Sequence, residues 1–409
     1  MSLVREIFRE KKTFLFLFVT WGVSILSFIR GLLVNSPLNS VADFFIPICV
    51  VATIIFSFRV VIKKIKLIDL LFVAICVVIF YLNYIFFPKN QYYLAFIQSR
   101  FCFCVIPFFF VGLFVDINSH ERKLEFISIL VVISEMLYVL YKSIVGISLS
   151  DDGEEESMGK AYLILPHLLF LSYMMFQKFK LWRVAMVLVS LILMLGFGNR
   201  GTVLLFLFFV FIYFFFIHRF DNPLRGRFLL CLSIVLLLVV FLEFVYLVAP
   251  FLNSLGMSSR TIDFFIRGEY FISQGRGDIK QILYDNMFVS PIFGFGLCGD
   301  RRLCGGTGLY AHVIFLEFLI SFGVVQGCLL FLVICLMIVF SFILTKNVKK
   351  RTFLLILICC GFLKLFISSS FLIERFFWFL LGYCVSLLRK KHLSYIKNAL
   401  FLSKKKLEL

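Results

Sequence analysis

The chain has 409 residues, of which 62% are hydrophobic and 57 are phenylalanine, and its mean hydropathy is +1.04. That composition excludes an ordinary soluble domain, in which apolar residues make up about half of the chain. The formal net charge of +18 points, in so apolar a chain, to Lys and Arg gathered in cytoplasmic loops, and no nucleic-acid partner is expected.

Apolar runs of about 20 residues recur along the whole length, each long enough to cross a hydrocarbon core about 30 Å thick. The expected fold class is an all-α integral membrane protein, with about twelve transmembrane helices and one large outward loop bearing short helices. The first run is too long for a signal peptide and lacks a small-residue cleavage site. The basic head MSLVREIFREKK leads into a first span over 13–34, a second over 41–62 and a third over 67–87. The fourth covers 92–115, the fifth 124–145, the sixth 161–176, the seventh 181–197, the eighth 202–217 and the ninth 228–249. An acidic loop with Asp151, Asp152, Glu154, Glu155 and Glu156 separates the fifth from the sixth. The tenth span lies within 313–344, a run longer than one crossing needs, so its first part can lie along the interface. The eleventh is 353–370 and the twelfth 376–388. The chain thus divides into nine spans (1–249), a large outward loop (250–312), three further spans (313–388) and a basic tail (389–409).

Alternate connections carry the Lys/Arg excess: the head, KKIK, ERK, KFKLWR, the HRF to RGR segment, KNVKKR and the tail. Both termini are therefore expected in the cytoplasm, with the acidic loop, the Gly-Asn-Arg turn and the 250–312 loop outside.

Ionisable residues within spans are costly and usually face a cavity or a partner. Arg30, Lys142, Glu243 and Lys364 fall in the outer part of their spans, Arg100 in the outer half of the fourth, Glu374 and Arg375 at an outer turn, and Glu135 near mid-membrane. Snorkelling accounts for Lys142 taken by itself. Taken together they read as a polar cavity open to the outer face, and the excess of cations suits an anionic ligand.

The stretch 290–327 is the most unusual. It holds Gly294, Gly296, Gly299, Gly305, Gly306 and Gly308, the charges Asp300, Arg301 and Arg302, and His312 at the expected start of a helix. Glycines permit a tightly folded backbone that approaches a ligand closely, and the stretch reads as the rim of a site. Cys298 and Cys304 share it and could be joined by a disulfide in an oxidising compartment. Arg200 is fixed in a tight turn between Gly198 and Gly201. The large loop also carries Arg260, Arg267 and Arg276. Asp278 reads as the N-cap of the helix DIKQILYDNMF, whose apolar residues form one face, and Arg267 reads as a surface charge on a neighbouring interfacial helix. A lone histidine at a membrane boundary is more often a structural hydrogen bonder than a catalyst; with the glycines before it and the outward charges around it, His312 reads equally as either. No metal-ligand spacing, P-loop or serine-nucleophile motif occurs, so no metal or other cofactor is expected.

Four segments carry a resemblance: GFGNRGTVLLF (196–206), GRGDIKQILYDN (275–286), SPIFGFGLCGDR (290–301) and AHVIFLEFLISFGVVQG (311–327). In this order the chain resembles the O-antigen polymerase and ligase superfamily of bacterial envelope enzymes. That family shows a small-residue-Arg-Gly turn opening a span, an outward loop with an arginine, a Gly-x-Gly segment, and a His-x-x-x-Leu-Glu helix ending in Phe-Gly. Asn199 stands where serine is usual and Val313 where asparagine often follows the histidine. The Gly-Asp-Arg form at 299–301 and the richness in phenylalanine look more like the polymerase than the ligase.

The resemblance implies a glycosyltransferase of the bacterial inner (cytoplasmic) membrane with a periplasmic active site. A growing glycan would leave undecaprenyl diphosphate for a sugar hydroxyl of a lipid-linked repeat unit, within the membrane lipid. Arg200 and Arg276 would hold the diphosphate, for which the planar arginine fork is suited. His312 would serve the acceptor hydroxyl, and Arg260, Arg100, Arg301 and Glu317 would be further substrate contacts. A chain-length regulator and a flippase of the same pathway are the implied protein partners. Two alternatives stay open: a ligase using lipid A-core as acceptor, and a flippase or other transporter of lipid-linked oligosaccharide. Against the latter, no internal repeat with paired broken helices is visible.

Overall fold

The computed structural model describes residues 11–34, 45, 48–53, 65–145, 154–217 and 276–389. The second expected span lies mostly, and the ninth wholly, outside these residues, as do Asp151, Asp152, Glu243, Arg260, Arg267 and the tail from 390. Among the described residues every regular element is a helix. In chain order these are α1 (Lys11–Trp21), α2 (Val23–Val34), α3 (Leu67–Phe86), α4 (Gln91–Arg100), α5 (Ile106–Phe114), α6 (Ile117–Val145), α7 (Glu154–Gln177), α8 (Leu181–Gly196) and α9 (Arg200–Ile212). There follow α10 (Arg276–Asn286), α11 (Gly299–Cys304), α12 (Ile314–Phe322), α13 (Val324–Leu344), α14 (Val348–Leu357) and α15 (375–389).

Among these residues five stretches are long and apolar enough to cross a membrane: Leu67–Phe86, Ile117–Lys142, Gly159–Gln177, Arg200–Ile217 and Val324–Leu344. The bent pair α1 and α2 makes a sixth if it is one broken span. The protein is an all-helical, membrane-embedded one. Several expected spans are interrupted. The fourth passes through a π-turn at Phe101–Val105 just before Pro107, whose missing N–H removes one rung of the helical ladder. The tenth breaks at Gly323, and the eleventh passes from α14 into a π-turn at Ile358–Phe362 and a 3₁₀ turn at Leu363–Phe366. Glu154, Glu155 and Glu156, expected in a loop, form the first turn of α7.

The chain forms two compact units. One comprises Met1–Val60 with Ile117–Gln274, the other Val61–Asp116 with Gly275–Leu409.

In the first unit α1 and α2 meet at 64° around Gly22, where an added Cβ would lie 2.6 Å from the Phe18 carbonyl oxygen and 2.8 Å from Ile127. Trp21 is fully buried beside it, and its indole N–H donates to Ser128 Oγ at 3.0 Å. The same hydroxyl lies 3.1 Å from His167 Nδ1. The Ser128 hydroxyl thus gives both buried rings a polar partner inside an apolar core. Nearer one end, Arg183 donates from Nε to Glu125 at 2.7 Å and from Nη1 to the carbonyls of Met174 and Lys178 at 2.8 and 3.0 Å.

In the second unit α5 and α15 cross with Gly112 against Gly382; a Cβ on either would strike the other helix's backbone. Small residues at such crossings let apolar helices approach closely where lipid gives no hydrophobic drive to associate. One end of the unit is tied by charge: Arg389 pairs with Asp69, and Lys350 lies 3.8 Å from Asp116. The opposite end carries the turn after α3, the glycine-rich loop and the turn between α14 and α15.

Candidate functional site

The glycine-rich loop is built largely by backbone. Phe295 N–H donates to the Ile320 carbonyl at 2.7 Å and Gly296 N–H to that of Ser321 at 3.1 Å. These are carbonyls that the end of α12 leaves without helical partners. Val325 N–H reaches back to Pro291 O at 3.2 Å. Gly294 has φ +66°, and a Cβ there would lie 2.6 Å from the Ile320 oxygen. Gly294 and Gly323 thus admit backbone against backbone, which for Gly294 is a use additional to the expected approach of a ligand.

Two asparagines fix the loop from the other side. The side chain of Asn90 donates to the carbonyls of Phe295 and Leu297 at 2.7 and 2.9 Å, and Asn83 Oδ1 accepts from Leu297 N–H at 2.8 Å. Behind the loop, Ile279 and Leu283 of α10, with Met287 just after it, pack with Leu316 and Ile320 of α12 and with Ala311. Asp278, expected as the cap of α10, lies within its first turn.

Cys298, at φ 61°, leads into α11, where Asp300 and Arg301 are buried. Asp300 Oδ2 accepts from Ala311 N–H at 2.9 Å. Burial pushes its carboxyl above the ordinary range, against the opposing pull of Arg301 and the Ala311 N–H. Arg301 Nη1 donates to the Thr307 carbonyl, and its guanidinium lies 5.2 Å from the Tyr310 ring. The Tyr310 and His312 rings are 3.9 Å apart, tilted by 39°. Tyr310 Oη accepts from Ser369 N–H at 3.0 Å and lies 3.4 Å from Ser368 Oγ. On the same turn the Ser370 hydroxyl donates to Glu317, which also accepts from Phe371 N–H at 3.2 Å. Among the described residues three non-glycines have left-handed φ: Cys298 at 61°, His312 at 54° and Ser369 at 77°. All three flank this cluster, and such backbone persists only where the surroundings over-determine it.

Of the residues expected to act on substrate, Arg301, His312 and Glu317 come together here, with Asp300 and Tyr310 between them. His312 is half-buried and precedes the helix rather than starting it, with Val313 as the N-cap of α12. Arg276 opens α10 in this unit. Arg100 is exposed at the end of α4, 5.8 Å from the Phe96 ring. Arg200 belongs to the other unit, half-buried at the start of α9, where Asn199 Oδ1 caps Gly201 N–H at 2.9 Å. Arg260 lies outside the described residues.

The intramembrane charges divide between the units. In the first, Lys160 Nζ is 3.5 Å and Lys142 Nζ 5.8 Å from the Tyr138 ring, near the buried Glu135. In the second, Lys364 pairs with Glu374, and Arg375 lies 5.7 and 5.4 Å from the rings of Phe108 and Phe376. The thiols of Cys298 and Cys304 are free. The six residues from one to the other add about 9 Å of helical rise, beyond the roughly 7 Å between Cα atoms that a disulfide spans.

The sequence reading passed over Tyr310, Asn83, Asn90 and the Ser368–Ser370 turn. Asn83, an amide inside an otherwise apolar span, and three successive serines after an apolar run were the available signals. Comparison with protein-family models, with curated proteins and with solved structures finds no match.

Proposed function

We propose that this protein is a polymerase of a surface polysaccharide, joining lipid-linked oligosaccharides at the periplasmic face of a bacterial inner membrane. In this reading the chain has about twelve spans and both termini in the cytoplasm. The observation that carries it is the half-buried His312, held in left-handed backbone against Tyr310 beside Arg301, within the stretch that resembles the family.

In the reaction, the acceptor sugar's hydroxyl oxygen forms a glycosidic bond to the anomeric carbon of the growing chain. The bond from that carbon to the undecaprenyl diphosphate oxygen breaks, and the diphosphate leaves with the electron pair. The hydroxyl proton passes to His312 as general base. The resemblance assigns the diphosphate to Arg200 and Arg276, and makes Arg301 and Glu317 further substrate contacts.

A gene deletion read on lipopolysaccharide gels tests this. Loss of long ladders to lipopolysaccharide capped with a single repeat is the expected result. Complete loss of the polysaccharide would overturn it in favour of the ligase. Complementation with Arg200→Lys, Arg276→Lys or His312→Ala should leave single-repeat material at unchanged protein level, because removing one such contribution costs about 10²–10⁴-fold in rate.

A further inference from the structure

His312 sits in a backbone region that costs a non-glycine residue energy, so something must hold it there. The two residues before it are both pinned. Ala311 N–H is taken by buried Asp300 at 2.9 Å, and Tyr310 Oη accepts from Ser369 N–H at 3.0 Å. Ser369 is itself left-handed, at φ 77°. One phenol therefore bridges two unfavourable backbone positions that lie 57 residues apart in the chain (369 − 312). The same phenol ring lies 3.9 Å from the imidazole and 5.2 Å from the Arg301 guanidinium. Face contact with a cation adds an attraction that a bare aliphatic side chain would not supply.

We propose that Tyr310 is a positioning residue: its ring fixes the imidazole of His312, and its hydroxyl anchors that pair to the Ser368–Ser370 turn. Its importance for turnover rests on the reading of His312 given above, whereas its hold on the imidazole does not. Tyr310 touches no reacting atom in this scheme. It limits the orientations of the general base, and misplacement of a catalytic group by about 1 Å can cost about 10²-fold.

Two measurements on the full-length protein in lipid nanodiscs test this. The first is the rate at which diethyl pyrocarbonate modifies His312, followed by mass spectrometry, with the buried His167 as a control for intact folding. Tyr310→Ala should raise the modification rate of His312 several-fold while His167 stays protected, and Tyr310→Phe, which keeps the ring, should leave it near wild type. An unchanged His312 rate in Tyr310→Ala would overturn the proposal. If Tyr310→Ala exposes His167, Tyr310→Leu, which fills the volume without an aromatic face, takes its place with the same expected outcome.

The second measurement is polymerisation of undecaprenyl-diphosphate-linked repeats by single and double variants. Tyr310→Ala should approach His312→Ala, and the double variant should be no slower than His312→Ala alone, as for residues acting as one unit. Tyr310→Phe should lose about fivefold, the effect of one neutral hydrogen bond. Losses that multiply in the double variant would overturn the proposal. Full activity of His312→Ala would instead overturn the catalytic reading of His312, and the modification rates would still decide whether Tyr310 holds it.

Discussion

Arg389 grips Asp69 with both of its terminal nitrogens, at 2.9 and 2.5 Å, and so ties the end of α15 to the start of α3. Asp69 is 2% exposed and also accepts from Lys66 N–H at 2.8 Å. The pair puts the two helix ends at one face of the second unit. Removing one partner of a buried pair strands the other charge, at a cost of about 3–5 kcal/mol. Arg389→Ala should therefore lower the thermal midpoint in detergent markedly. Asp69→Leu combined with Arg389→Leu should recover most of the loss. Equal midpoints for the wild type and Arg389→Ala would show that the pair adds nothing to stability.

Gly323 separates α12 from α13 at φ 83° and ψ 161°, a region open essentially to glycine alone. A Cβ there would lie 2.6 Å from both the carbonyl carbon and the oxygen of Ile292. Gly323→Ala should thus displace the 290–297 loop. The expected outcome is new cleavage within 290–312 on limited proteolysis, with the spans intact. A wild-type digestion pattern would mean that the loop can give way at no cost.

Where several apolar helices begin was legible because each needs a run of apolar residues, whatever lies around it. Leu67–Phe86 and Leu181–Gly196 begin at the expected residues. The breaks were not legible. The π-turns at Phe101–Val105 and Ile358–Phe362 lie inside runs that read as continuous, because helical hydrogen bonding leaves no mark on hydropathy. At the site, Arg301 and His312 stood out by charge and by the glycines beside them. Tyr310 did not, since one tyrosine of 15, among 57 phenylalanines, carries no signal until its hydroxyl meets a residue far along the chain. The glycines of 294–308 were read as room for a ligand, whereas at Gly294 the neighbour is the protein's own backbone.

Asn90 is fully buried and supplies donors to two carbonyls of the glycine-rich loop. Asn90→Ala would leave both without that partner, at about 1–3 kcal/mol each. Asn90→Asp should be worse at neutral pH, since it presents carboxylate oxygens to the same carbonyls. Amide hydrogen exchange of residues 295–298 should rise in both variants, more in the aspartate one. Protection equal to wild type in Asn90→Asp would mean that the loop holds without this contact.

Arg301 combines three relations: the charge beside Asp300, the hydrogen bond to the Thr307 carbonyl and the face-on position 5.2 Å from the Tyr310 ring. Lysine at this position keeps the first and loses the planar group that supports the other two. If charge balance of buried Asp300 is the whole of its role, Arg301→Lys should polymerise like the wild type. If the guanidinium plane also supports Tyr310 and through it His312, Arg301→Lys should lose about tenfold in rate, in line with one cation–π contact and one hydrogen bond together. We expect the loss, without a matching fall in thermal midpoint, because the ammonium still neutralises Asp300. Combining Arg301→Lys with Tyr310→Ala then separates the two cases: the added lysine should cost clearly less than tenfold once the ring it supports is gone, and an undiminished tenfold loss would assign Arg301 to the substrate directly.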